Sequence, residues 1–73
     1  MRLSAKARRE IIRTAGVELV KREGVYRLSY ERVALECPVD TSVGTVRRYF
    51  HTFDELASSV ASHPACPLVC FEV

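Results

Sequence analysis

Seventy-three residues, 48% of them hydrophobic and 27% charged, suit one small folded domain; the mix excludes a disordered chain and the length excludes a second domain. A chain of this size buries only about 60% of its unfolded surface, so a deep catalytic cleft is not expected, and no apolar run approaches the ~18 residues of a membrane span. The net charge of +2 is small, yet Arg2, Lys6, Arg8, Arg9 and Arg13 face Glu10 alone in residues 1–13, and Arg47 and Arg48 form a second basic pair. A modest total therefore conceals a basic face.

The spacing predicts a first helix that Ser4 caps at its N-terminus and Gly24 ends, glycine being the residue that takes positive φ most readily. Ile11, Ile12, Ala15, Val17, Leu19 and Val20 recur at helical spacing as its buried stripe, with Arg9, Arg13, Lys21, Arg22, Glu10, Glu18 and Glu23 on the opposite face. Residues 25–28 read as a short connector with Leu28 tucked into the core. Ser29 caps a second helix, Tyr30 to Glu36, with Val33, Ala34 and Cys37 inward, and Pro38 stops it.

A turn follows, and Asp40, Thr41 or Ser42 caps a third helix that runs to Tyr49 or Phe50. On a helical wheel Val43, Val46 and Phe50 share one side, while Thr41, Gly44, Thr45 and Arg48, flanked by Arg47 and Tyr49, share the other. Thr52 caps a fourth helix, residues 53–62, with Asp54 and Glu55 favourably placed against its N-terminal dipole and Leu56 and Val60 inward. The expected architecture is all-α: a four-helix domain over residues 1–63 and an apolar tail over residues 64–73, which holds Pro64 and Pro67.

Cys37, Cys66 and Cys70 make an odd set in a chain without a recognisable export signal, which argues for a reducing, cytoplasmic setting rather than a disulfide framework. His63, Cys66 and Cys70 have ligand-like spacing, but a structural zinc site takes four ligands and no fourth stands nearby. They read as small hydrophobes in an apolar tail, and no metal or cofactor is expected.

Two short helices joined by a tight turn, the second with a polar and basic outer face, follow the helix-turn-helix plan, whose second helix enters the DNA major groove. Thr41, Ser42 and Thr45 are small enough to approach base edges, and Gly44 lets the backbone come close. Arg47 and Arg48 can grip phosphates, Arg48 alternatively reading guanine, and Tyr49 can reach a phosphate through its hydroxyl. The basic residues Lys6, Arg8 and Arg9 are further candidates for the DNA backbone.

The stretch from Arg9 to Leu56 resembles the N-terminal DNA-binding domain of TetR-family transcriptional regulators. The likeness is carried by Arg9 through Val20, by Leu28-Ser29-Tyr30-Glu31-Arg32-Val33-Ala34, and most specifically by Ser42-Val43-Gly44-Thr45-Val46-Arg47-Arg48-Tyr49-Phe50 with Asp54-Glu55-Leu56 after it. The resemblance implies that Ser29 binds a phosphate, that Ser42, Val43 and Thr45 face bases, and that Arg47, Tyr49 and His51 meet the backbone, with Val46 and Phe50 in the core.

Three departures stand out. The stretch between Ala34 and Ser42, with Pro38 in it, is longer than the family norm, and Phe53 replaces a lysine that usually binds phosphate. Family members also continue into a domain that binds ligands and dimerises; if full length, this chain resembles a stripped reader with no small-molecule inducer pocket, a form suited to a phage or mobile element, and if it is an excised fragment the apolar tail has no explanation.

The expected function is sequence-specific binding of double-stranded DNA to regulate transcription, as a repressor rather than an activator. Leu68, Val69, Phe71 and Val73 of the tail would offer a homodimer contact or fold back over the first or fourth helix. The competing reading is a small protein-interaction module, an inhibitor or adaptor that reuses the fold with Phe53, Phe71 and Tyr26 as anchors, or a phage DNA-packaging or replication subunit. Catalysis is not expected: His51 and His63 are the only histidines, His51 has no carboxylate or thiol at a recognisable spacing, and no phosphate-cradling glycine loop exists.

Overall fold

A computed structural model describes residues 4–64. Among them are four α-helices, α1 (Ala5–Glu23), α2 (Tyr30–Glu36), α3 (Val43–Tyr49) and α4 (Phe53–Ala61), and no strand. Residues 25–28, expected as a short connector, contain a 3₁₀ turn, Val25–Arg27, closed by the Leu28 N–H donating to the Val25 carbonyl at 3.1 Å. All of the tail after Pro64, with Leu68, Val69, Phe71 and Val73 as well as Cys66 and Cys70, lies outside the described residues.

Every helix begins at a hydroxyl. Ser4 accepts from the Ala7 N–H at 3.1 Å, Ser29 from Arg32 at 3.2 Å, Ser42 from Thr45 at 3.2 Å and Thr52 from Glu55 at 3.1 Å. Each bond satisfies a first-turn N–H that has no partner inside its helix. At α4 the Glu55 carboxylate also reaches back to the His51 N–H at 2.7 Å, a variant of the capping box displaced by one residue.

α1 ends where Gly24 turns to φ 94°, ψ 161°, with its N–H donating to the Val20 carbonyl at 2.8 Å. That backbone region is almost exclusive to glycine, so Gly24→Ala is expected to lower stability by about 1–3 kcal/mol. Urea denaturation of the two chains side by side checks this, and an unchanged midpoint refutes it. α2 ends at Cys37, extended at ψ 136° as the residue before a proline must be.

The core is arranged around α1, which packs on α2 and α4, while α2 also packs on α3. Ile12, Ala15, Val17, Leu19 and Val20 meet Leu28, Val33, Val46, Phe50, Leu56 and Val60, all buried. Burial of each larger side chain is worth about 1.5–3 kcal/mol. Gly16 packs directly against α4: a Cβ there would lie 2.6 Å from Val60 Cγ2.

Two expectations for α1 need correction. Ile11 is only half-buried, at the edge of the stripe rather than within it. Arg13 is not on a solvated face: its Nε donates to the Ser59 carbonyl at 2.8 Å and its Nη2 to Ser62 Oγ at 3.3 Å. It thereby satisfies the end of α4, where helix carbonyls lack partners.

A charged strut joins α1 to α2. The Arg22 guanidinium grips both oxygens of Glu36, at 2.6 and 2.7 Å, and also meets Glu23 at 2.9 Å, which in turn holds Arg32 at 3.1 Å. Hydrogen bonds from Arg22 are the main reason both carboxyls titrate below the ordinary 4.5. Because their folded-state pKa is depressed, their contribution is present above that ordinary value and is lost as pH falls through the lowered values. Arg22→Gln should therefore show a smaller drop in melting temperature than the parent chain between about pH 6 and pH 3; equal drops would refute the linkage.

Candidate nucleic-acid interface

α2, residues 37–42 and α3 form the two-helix unit that carries most of the candidate residues. α3 turns Val46 and Phe50 into the core and packs the half-buried Tyr49 against it. Its outer side exposes Gly44, Arg47 and Arg48, with Thr45 half-buried beside them. The amphipathic division read from the wheel is thus present in the folded chain, with Arg47 and Arg48 both in solvent.

The cap chosen from the three candidates is Ser42, and this changes the roles of two neighbours. Thr41 is not on the outer side of the helix but precedes the cap, and its Oγ1 turns back to donate to the Val39 carbonyl at 3.0 Å. Ser42 Oγ accepts the Thr45 N–H and lies 3.1 Å from Thr45 Oγ1, so the two hydroxyls form a pair rather than two separate readers. Ser42→Ala should cost about 1 kcal/mol and Ser42→Gly only a few tenths, the signature of a cap, readable as melting temperatures. Equal losses would show that the hydroxyl does not work as a cap.

The wheel places Val43 on the buried side, and the resemblance places it against bases. It is half-buried, and with Ser29, Tyr30, Glu31 and Arg47 it lines a groove of about 240 Å³ between the starts of α2 and α3. The Arg47 guanidinium lies 5.2 Å from the centroid of the Tyr30 ring, a cation–π contact worth about 0.5–1 kcal/mol at an exposed site. Tyr30 is itself fixed by donating its hydroxyl to the Phe50 carbonyl at 3.0 Å and by an edge-to-face contact with Phe53 at 6.4 Å. Ser29 Oγ uses a lone pair on the Arg32 N–H, which leaves its hydroxyl proton available to an outside acceptor.

The basic start of α1 comes to the same region. The Arg9 guanidinium sits 4.7 Å from the centroid of the buried Phe50 ring, at the end of α3. Lys6, exposed and one turn earlier, shares that flank, whereas Arg8 is half-buried and about 100° away around the helix. His51 is exposed just past α3, its backbone N–H held by Glu55.

The folded chain therefore brings Ser29, Val43 and Arg47 together, adds Arg9 by its stack, and leaves Thr41 turned back onto the Val39 carbonyl. Sequence reasoning missed Tyr30 and Phe53 as the aromatic support beneath Arg47. No spacing signals such a contact, because Tyr30, Arg47 and Phe53 meet only through the packing of three helices. Among the described residues no group of three His, Cys, Asp or Glu side chains could hold a metal, and no helix is long and apolar enough to cross a membrane. Comparisons with family models, curated proteins and solved structures return no match to this chain.

Proposed function

We propose that this chain is a sequence-specific double-stranded DNA-binding protein that regulates transcription, a repressor rather than an activator, working in the cytoplasm without catalysis or cofactor. The observation that carries the proposal is the outer side of α3, where Arg47 and Arg48 project beside Thr45 and Gly44 while Tyr30 holds the Arg47 guanidinium next to Ser29. A helix of this width fits a B-DNA major groove of about 12 Å. In this reading Thr45, paired with Ser42, faces base edges, Arg48 reads guanine or a phosphate, and Ser29, Arg47, Tyr49 and His51 meet the backbone, with Lys6 and Arg9 extending the contact. The resemblance of residues 9–56 to the TetR-family DNA-binding domain supports the same assignment. A two-fold site would place two copies of α3 about 34 Å apart.

The test is selection from a random duplex pool followed by anisotropy titration of the enriched site at two salt concentrations. A defined site bound far more tightly than the ~10⁻⁴–10⁻⁶ M of non-specific association supports the proposal; binding confined to that range refutes it.

A second reading has its own observation. Tyr26 is wholly exposed, Leu35 is 81% exposed and Phe53 45%, and large side chains of this kind anchor protein interfaces. Under that reading the chain is an interaction module, and Arg47 and Arg48 could be replaced without loss of partner binding.

A further inference from the structure

A second groove, of about 340 Å³, lies on the side of α1 that faces the end of α2. Ile11, Ala15 and Pro38 give it an apolar lining, and Thr14 and the carboxylates of Glu10, Glu18 and Glu36 stand around it. Each carboxylate already has a cation from its own chain: Glu10 meets Arg13 at 3.5 Å, Glu18 meets Lys21 at 3.6 Å and Glu36 meets Arg22 at 2.6 Å. The rim is therefore neutralised from within, and the groove calls for an apolar occupant of little charge. A nucleic acid or a strongly basic peptide does not fit that description.

We propose that the occupant is residues 65–73 of the same chain. This segment, Ala65-Cys66-Pro67-Leu68-Val69-Cys70-Phe71-Glu72-Val73, carries one charged side chain and is otherwise apolar or proline. Its starting point is close. Ser62 Oγ is 3.3 Å from the guanidinium of Arg13, the immediate neighbour of Thr14 on the groove's edge. Nine extended residues span roughly 30 Å, enough to pass around α1, a helix about 10–12 Å across. Tethering also raises the local concentration of the segment to about the millimolar range, an advantage that no separate partner has. Seated there, the segment would cover the half-buried Ile11 and leave the outer side of α3 open. The inference is independent of the DNA-binding proposal.

The test is photo-crosslinking of the intact chain with benzoylphenylalanine in place of Phe71, under reducing conditions, followed by gel separation and peptide mapping. The expected result is a monomeric cross-link to residues 10–18 or 36–38, which falls sharply in a Thr14→Lys chain because a long cation then stands at the groove's edge. Folding of the Thr14→Lys chain is read from its amide spectrum. A cross-linked dimer would overturn the proposal in favour of a second copy as occupant. A monomeric cross-link mapping elsewhere, or none, would overturn it outright.

Discussion

Gly16→Ala is expected to destabilise the protein by about 1 kcal/mol, the ~2 kcal/mol of mid-range overpacking less the ~1 kcal/mol of helix propensity, even though alanine is the better helix former. Helix propensity alone favours the substitution by about 1 kcal/mol in the interior of α1. Against this stands a contact of 2.6 Å between the new Cβ and Val60 Cγ2, far inside the roughly 3.5–4.0 Å at which carbon atoms rest. Val60 is fully buried and β-branched, so it has no solvent to turn into and few rotamers to choose from. Overpacking of this kind costs about 1–3 kcal/mol, so the packing term wins.

In so small a domain each kcal/mol moves the melting temperature by about 4–8 °C. Gly16→Val should do more harm than Gly16→Ala, and Val60→Ala should partly rescue the alanine variant through a favourable coupling energy. Calorimetry on the parent, the three single variants and the Gly16→Ala/Val60→Ala double variant measures each difference. A Gly16→Ala chain as stable as the parent would refute the close packing of α1 against α4.

Replacing Arg47 and Arg48 together by alanine is expected to weaken binding to the selected duplex by roughly a hundredfold or more, as two charge-assisted contacts at about 1.5 kcal/mol each imply. The single variants should differ in kind. Arg47 lies over Tyr30 beside Ser29, a position suited to phosphate. Its loss should weaken all sequences alike and lower the slope of log K against log salt by about 1. Arg48, exposed and free of that stack, should show its loss as relaxed specificity at one position if it reads guanine, at about 1–3 kcal/mol. Titrations of matched and mismatched duplexes at several salt concentrations separate these effects. If both variants bind as the parent does while remaining folded, the interface lies elsewhere on the molecule.

The helices and their ends were legible because they rest on local chemistry. Ser4, Ser29 and Thr52 precede helical runs and cap them; Gly24 and the Cys37-Pro38 step end them. The third cap was not legible: Asp40, Thr41 and Ser42 all carry suitable oxygens, and only the path of the backbone into α3 selects Ser42. The Thr52-x-x-Glu55 spacing is itself a sequence signal for the paired cap of α4.

By itself, then, the sequence determined an all-helical fold over the described residues, the limits of α1, α2 and α4 and the two-sidedness of α3, since hydrophobic spacing, hydroxyl caps and Gly or Pro act over a few residues. Tertiary structure alone decided the partners of the long cations. Arg13 caps α4, Arg9 stacks on Phe50 and Arg47 rests on Tyr30, whereas each would read as a solvated charge. It also decided that Gly16 is a contact point rather than a weak place in a helix. The reason is physical: a flexible side chain or a missing Cβ acquires its meaning from whatever the next helix brings within about 4 Å, and that distance is set by the whole fold.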